Sequence, residues 1–244
     1  MGKVFAVTSG KGGVGKSSFS SGLACAFAPS KSVLLVDMDA GLRCLDLMLG
    51  VSEELVFDLS DVLLGKPLED SVCTVKGKKF KTFHLLAAPT DTNKIDTFSF
   101  AAFAKEVSEI YDIVIFDFPA GVDFSLAAAL PKETMHLIVV NPDVVCIRDA
   151  AGVGERIAEF SDNIRMILNK FNLKLVRSGV YKNIDDSIDK TGIQLAGIVP
   201  FCEHLACAVA VGRPINKGRA FKALKRISMR LDGEKVRLPK PKKI

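Results

Sequence analysis

Gly10-Lys11-Gly12-Gly13-Val14-Gly15-Lys16-Ser17 decides the fold, because its pattern G-x-x-x-x-G-K-S links an apolar run to a helical one. Glycines let a backbone wrap closely around phosphate oxygens. The loop amides and the following helix N-terminus supply the positive potential that such oxygens need. Lys16 is placed to reach β- and γ-phosphate oxygens, and the Ser17 hydroxyl is placed to ligate Mg²⁺. Gly10, Lys11, Gly12, Gly13, Val14, Gly15, Lys16, Ser17 and Ser18 are therefore the expected nucleotide-contacting loop.

Outward from this loop, strands and helices alternate. Short apolar runs at Val4–Thr8, Val33–Val36, Phe83–Ala87, Ile113–Phe116, His136–Val140, Met166–Leu168 and Ile198–Val199 read as strands. Being continuous rather than alternating, they predict strands covered on both faces. Helices are expected over Lys16–Ala28, Asp58–Leu64, Phe98–Ile110, Leu126–Leu130, Arg148–Phe160 and about Lys217–Leu231. This order predicts an α/β fold: one P-loop NTPase domain with a mostly parallel sheet and helices on both faces. Ligands of such sheets bind beyond the carboxyl ends of the strands. Thr8, Asp37, Asp117, Asn141 and Asn169 all fall there, so they are expected to converge. The expected domain spans residues 1–231, followed by a basic tail over 232–244 containing Pro239 and Pro241.

Composition narrows the class. No apolar run approaches the ~18 residues of a membrane span, and Met1-Gly2-Lys3 does not open a signal peptide. Gly2 suggests myristoylation, but position 6 is Ala where that motif takes Ser or Thr. Cys25, Cys44, Cys73, Cys146, Cys202 and Cys207 are scattered without a C-x-x-C, which reads as reduced thiols in a cytoplasmic protein. From Arg213 onward there are 12 Lys or Arg against 2 Asp or Glu, on a body that is mildly acidic. A basic end of this kind suits an anionic surface.

The loop's early lysine, Lys11, resembles the deviant Walker A motif of the MinD/ParA family of P-loop ATPases. Asp37-Met38-Asp39-Ala40-Gly41-Leu42-Arg43-Cys44-Leu45-Asp46 resembles that family's switch I segment, D-x-D-x-G-L-R-N-L-D. Phe116-Asp117-Phe118-Pro119-Ala120-Gly121 resembles its Walker B and switch II segment, and Asn141-Pro142-Asp143 with Arg148-Asp149 matches the stretch that follows. The G-L-R-x-L-D and P-A-G details resemble the MinD branch.

The resemblance implies an ATP hydrolase using ATP/ADP and Mg²⁺, which pairs with itself in the ATP state and acts as a switch in division-site placement. In that scheme Lys11 reaches the partner copy's phosphates, like an arginine finger. Asp39 orients the attacking water and also lies near the metal, Asp37 sits close to the Mg²⁺ shell, and Asp117 holds Mg²⁺ through water. Asp149 couples the interface to hydrolysis, while Asn169 and Pro200 meet adenine.

Two departures qualify it. Cys44 stands where the family has Asn on its dimer and partner surface, which counts against MinC- and MinE-like regulators. The Pro- and Lys-containing tail replaces an amphipathic membrane helix and allows only electrostatic attachment to an anionic membrane. The alternatives are a partition- or flagellar-number-type ATPase binding DNA non-specifically and, on the Cys202/Cys207 pair, an iron–sulfur carrier ATPase. The last helix, with Ala220, Phe221, Leu224, Ile227 and Leu231 on one face, is expected to pack on the sheet.

Overall fold

The computed structural model describes all residues except 41–42, 78–79, 90–94, 122–123 and 240–244, and at 80 and 81 it describes only the backbone. The chain opens with β1 (Lys3–Thr8), α1 (Lys16–Phe27), β2 (Val33–Asp37) and α2 (Leu45–Leu49). Two short helices follow, α3 (Leu59–Leu63) and α4 (Leu68–Ser71), then the hairpin of β3 (Val72–Gly77) and β4 (Phe80–Leu86). Next come α5 (Thr97–Ile110), β5 (Ile113–Asp117), α6 (Phe124–Ala128), β6 (Met135–Val140) and α7 (Val144–Ala158). The chain then runs through β7 (Ile164–Phe171), α8 (Leu173–Arg177), α9 (Ile184–Thr191), β8 (Leu195–Pro200), α10 (Glu203–Ala210) and α11 (Gly218–Leu231).

The strands form one sheet in the order β3-β4-β2-β5-β1-β6-β7-β8. Every pairing is parallel except β3 with β4. β1 is central, so the loop leaving it emerges mid-sheet. Successive β1 residues divide between two cores: Phe5 and Val7 join one, Val4 and Ala6 the other. This alternation explains why the strand is apolar throughout. In the second core Phe100, Phe103 and Phe116 meet edge-on or tilted at 5.6–6.4 Å, each contributing about 1.5–3 kcal/mol through burial.

α11 packs its apolar face on α1 and β8, as its stripe predicts. The contact is close: a Cβ on Gly22 would lie 2.6 Å from Leu224 Cδ1, and one on Gly197 would lie 2.3 Å from Ile227 Cγ1. Arg219, Lys222, Lys225 and Arg226 remain exposed on its outer face. Asp232 is clasped by Lys3 and Lys31 at 3.0 and 3.1 Å, and Arg230 donates to the Val236 carbonyl. The chain after α11 is thus fastened to the body as far as residue 236.

Several elements differ from the sequence reading. β3 is an antiparallel edge strand with alternating burial, invisible to a search for continuous apolar runs. α7 begins at Val144 rather than Arg148, because the Asp143 side chain accepts from the Cys146 amide at 2.9 Å and caps the helix there. α6 starts at Phe124 rather than Leu126. β7 runs on to Phe171 rather than stopping at Leu168. α2, α4, α8, α9 and α10 are too short or too exposed to leave an apolar period.

Candidate functional site

The P-loop leaves β1 at Thr8 and ends where α1 begins at Lys16. Gly13 and Gly15 hold φ of +78° and +90°, the left-handed region that costs L side chains energy. A Cβ at Gly12 or Gly13 would meet nothing within 4 Å, so the loop's outer side is open to a ligand. At Gly10 a Cβ would come within 2.7 Å of the Asp149 backbone. Gly10 therefore sets the loop directly against α7 and brings Asp149 to its foot. The Asp149 carboxylate accepts from Arg148 at 3.3 Å on the outer side. Lys11 is exposed, while Val14 is buried and anchors the loop in the core.

Lys16 lies along the floor. Its ammonium is 3.1 Å from Asp117 Oδ2 and 3.3 Å from the Ser17 hydroxyl. Asp117 Oδ1 accepts from Ser20 at 2.7 Å, so the first two turns of α1 grip the end of β5. Asp37 is the direct register neighbour of Asp117 across β2 and β5. Its carboxylate accepts from the Asp39 amide at 2.9 Å and the Leu45 amide at 3.3 Å. Burial, reinforced by Asp117, raises the Asp37 carboxyl to about 7. Asp39 follows at the end of β2, partly exposed, and Gly121 donates its amide to the Ser9 carbonyl at 3.2 Å. Gly41 and Leu42 of the switch I match lie outside the described residues.

The sequence expectation placed Cys44 with the partner surface. The structure leaves the residue partly exposed, with its thiol beside the Ser17 hydroxyl and Asp37, Asp117 and Lys16 near enough to act on it electrostatically. Burial first, then those carboxylates, raise the thiol to about 11. No sequence signal pointed to this place, since switch I carries no periodicity to orient position 44.

Asn169 and Lys170 brace the loop from the other side. The Asn169 amide donates to Val14 O at 2.8 Å and sits against Gly15. Lys170 Nζ donates to Gly13 O at 2.6 Å. Asn169 thus takes a place behind the loop, with its amide nitrogen already used there. Pro200 ends β8 and lines a groove with Arg219, Lys222 and Arg226. Ser18 lies in the first turn of α1, its carbonyl accepting from Ser21.

The residues present fit a magnesium nucleotide. Ser17, Asp37 and Asp117 offer the hard oxygen donors that Mg²⁺ takes. Among the described residues no group of three His, Cys, Asp or Glu forms a cage, so such an ion would rest on Ser17, water and phosphate oxygens. The buried Thr8 Oγ1 and Asn141 Oδ1, at the ends of β1 and β6, have no hydrogen-bond partner among the described residues. All six cysteines are free thiols; Cys202 is buried and Cys207 exposed on α10.

Comparison with known proteins agrees with this geometry. Residues 5–215 match the CobQ/CobB/MinD/ParA nucleotide binding domain. A Thermotoga maritima protein named septum site-determining protein MinD is 32% identical, over 98% of this chain and 91% of its own length. The MinD chain of a MinC:MinD cell division protein complex from Aquifex aeolicus superposes with a TM-score of 0.88. It is 33% identical and covers 98% of both chains. A septum site-determining MinD from Pyrococcus horikoshii, complexed with Mg-ADP, gives 0.82 at 25% identity, covering 96% of this chain and 97% of that one. Loop, switch segments, sheet order and relatives agree, and the chain belongs to the MinD/ParA family of P-loop ATPases.

Proposed function

We propose that the chain binds Mg-ATP at the P-loop, pairs with a second copy of itself in the ATP state and separates after hydrolysis, as a switch in division-site placement. The observation that carries this reading is the buried Lys16–Asp117 pair at 3.1 Å beside the Ser17 hydroxyl, under an open glycine loop. Mg-ATP, when bound, supplies the γ-phosphoryl group and a divalent charge.

The chain's own residues do the rest. The loop amides and the α1 N-terminus receive the phosphates. Lys16, now paired with Asp117, would hold β- and γ-phosphate oxygens; Ser17 would ligate the metal, and Asp117 and Asp37 would hold its water. Asp39 orients the attacking water. Lys11, exposed on the loop, reaches the phosphates of the second copy and offsets charge developing in the transition state. Asp149, at the foot of the loop, couples that contact to hydrolysis. With its amide nitrogen given to loop carbonyls, Asn169 offers Oδ1 as an acceptor. That suits the exocyclic amine of adenine and repels the carbonyl of guanine. Pro200 closes the base side.

Relatives supply the biological setting: the Thermotoga protein carries a septum-site name, and the Aquifex chain was captured with MinC. A MinC-like regulator belongs to this reading. A second reading, attachment to DNA or an anionic membrane, rests on the exposed Arg219, Lys222, Lys225 and Arg226 of α11. No described helix is long and apolar enough to cross a membrane. Binding of that kind should fall steeply with salt.

The test is the mass in solution with ADP and with ATP, using Asp39→Ala to slow hydrolysis. ATP should double the mass, and Lys11→Ala should abolish the doubling while nucleotide still binds. A mass unchanged by ATP overturns the switch.

A further inference from the structure

β7 and β8 fall out of step at two places, between Met166 and Ile167 and again between Leu168 and Phe171, the second of them beside the P-loop. Leu168 pairs with Ile198 and Phe171 with Pro200, so three steps on β7 oppose two on β8. The extra residue makes a bulge at Asn169-Lys170, a device that re-aims side chains beside functional sites. Lys170 takes φ of +50°, the only non-glycine residue with positive φ among those described. A long side chain pays strain in that region, so its surroundings must hold it there. What holds it is the P-loop: Lys170 Nζ donates to Gly13 O at 2.6 Å, while Asn169 donates to Val14 O at 2.8 Å. The positive φ of Gly15 matches this brace, since a Cβ there would lie 2.5 Å from Asn169 Nδ2 and 3.5 Å from Lys170 Cε.

A P-loop binds anions through its amides, and each carbonyl turned toward the phosphates would repel them. A charged donor on Gly13 O fixes that carbonyl on the β7 side and leaves the neighbouring amides for the anion. We infer that Lys170 is a positioning residue for phosphate binding: its ammonium, aimed by the β7 bulge, latches the Gly13 carbonyl and preorganises the loop for the polyphosphate rather than for the base. The inference rests on the proposed nucleotide site and adds a residue to it. A charge-assisted hydrogen bond is stronger than a neutral one, and preorganisation lowers the ordering cost of binding.

The experiment measures binding of ATP and of inorganic tripolyphosphate, which has no base, to the parent chain and to Lys170→Met, Lys170→Arg and Lys170→Gly. Lys170→Met should weaken both ligands by the same factor, about tenfold. Lys170→Arg should recover most of the loss, because it restores a cationic donor. Lys170→Gly relieves the positive-φ strain while deleting the latch. It should therefore melt within a few degrees of the parent and still bind weakly, separating latch from stability. Amide exchange at Gly13–Gly15 should quicken in the Met and Gly variants. A loss confined to ATP makes Lys170 a base reader and overturns the inference, as does unchanged affinity for both ligands. A parent chain that binds neither ATP nor tripolyphosphate instead overturns the nucleotide site itself.

Discussion

The P-loop has two flanks that are built differently. On the β7 flank, Asn169 and Lys170 hold three consecutive loop residues by hydrogen bonds to Gly13 and Val14 and by close contact with Gly15. On the β2/β5 flank, two buried carboxylates, Asp37 and Asp117, sit in register, and Lys16 ties Asp117 to the end of the loop. The first flank satisfies polar groups and fixes geometry. The second buries like charge: burial first, and then the neighbouring Asp117, raises the Asp37 carboxyl to about 7. An arriving divalent cation would relieve that arrangement. One side of the site is made to stay still, and the other is made to change.

The strongest way to break this contrast is Lys16→Met. It leaves Asp117 buried at 0% exposure with its cation gone, so stability should fall by about 3–5 kcal/mol and nucleotide binding should disappear. Urea unfolding and ATP titration check both. A variant as stable as the parent would show that the charged flank is not coupled to the fold.

Acid should act on a group outside both flanks as well as on Asp37. His136, on β6, is buried against Phe160 and has no partner for Nδ1 among the described residues. Burial lowers its pKa from 6.5 to about 4. Between those values the unfolded chain takes a proton that the folded chain refuses, so His136 contributes a loss of stability as pH falls through this window, opposite in sign to the gain from the raised Asp37 carboxyl. The loss should reach about 3 kcal/mol by the lower end. Unfolding midpoints across the range, with and without His136→Phe, measure it; an equal acid loss in both proteins would assign the effect to the carboxylates instead.

Gly15→Ala probes the still flank. At φ +90° and against Asn169, the methyl should cost about 1–3 kcal/mol and displace the brace. The nucleotide dissociation constant and the melting temperature should both worsen. Smallest of all is Arg148→Ala. Its bond to Asp149 is 3.3 Å long and the arginine is 79% exposed, so stability should move by less than about 0.5 kcal/mol, within the scatter of thermal melts.

The still flank and the changing flank were unequally legible in the sequence. Lys16, Ser17, Asp37 and Asp117 carry a spacing and a strand-end position whose chemistry follows from residue type, and the structure brings them together. Asn169 was placed at a strand end, but its work behind the loop depends on a bulge that no periodicity announces. The place of the Cys44 thiol beside Ser17 was illegible for a similar reason: the residue stands just ahead of α2, and a pattern of apolar residues does not orient such a position. In the fold, strands covered on both faces read plainly, whereas β3, half exposed at an edge, and α10, with no buried residue, did not.

The close seat of Leu224 on Gly22 has a consequence for how the chain comes into being. The helix that opens from the P-loop is made some 200 residues before α11, the helix that covers this flank. Contacts of such long range form late and slowly. During synthesis α1 therefore stands with an apolar side bare, and a growing chain would present that stripe to whatever guards nascent proteins until α11 closes over it.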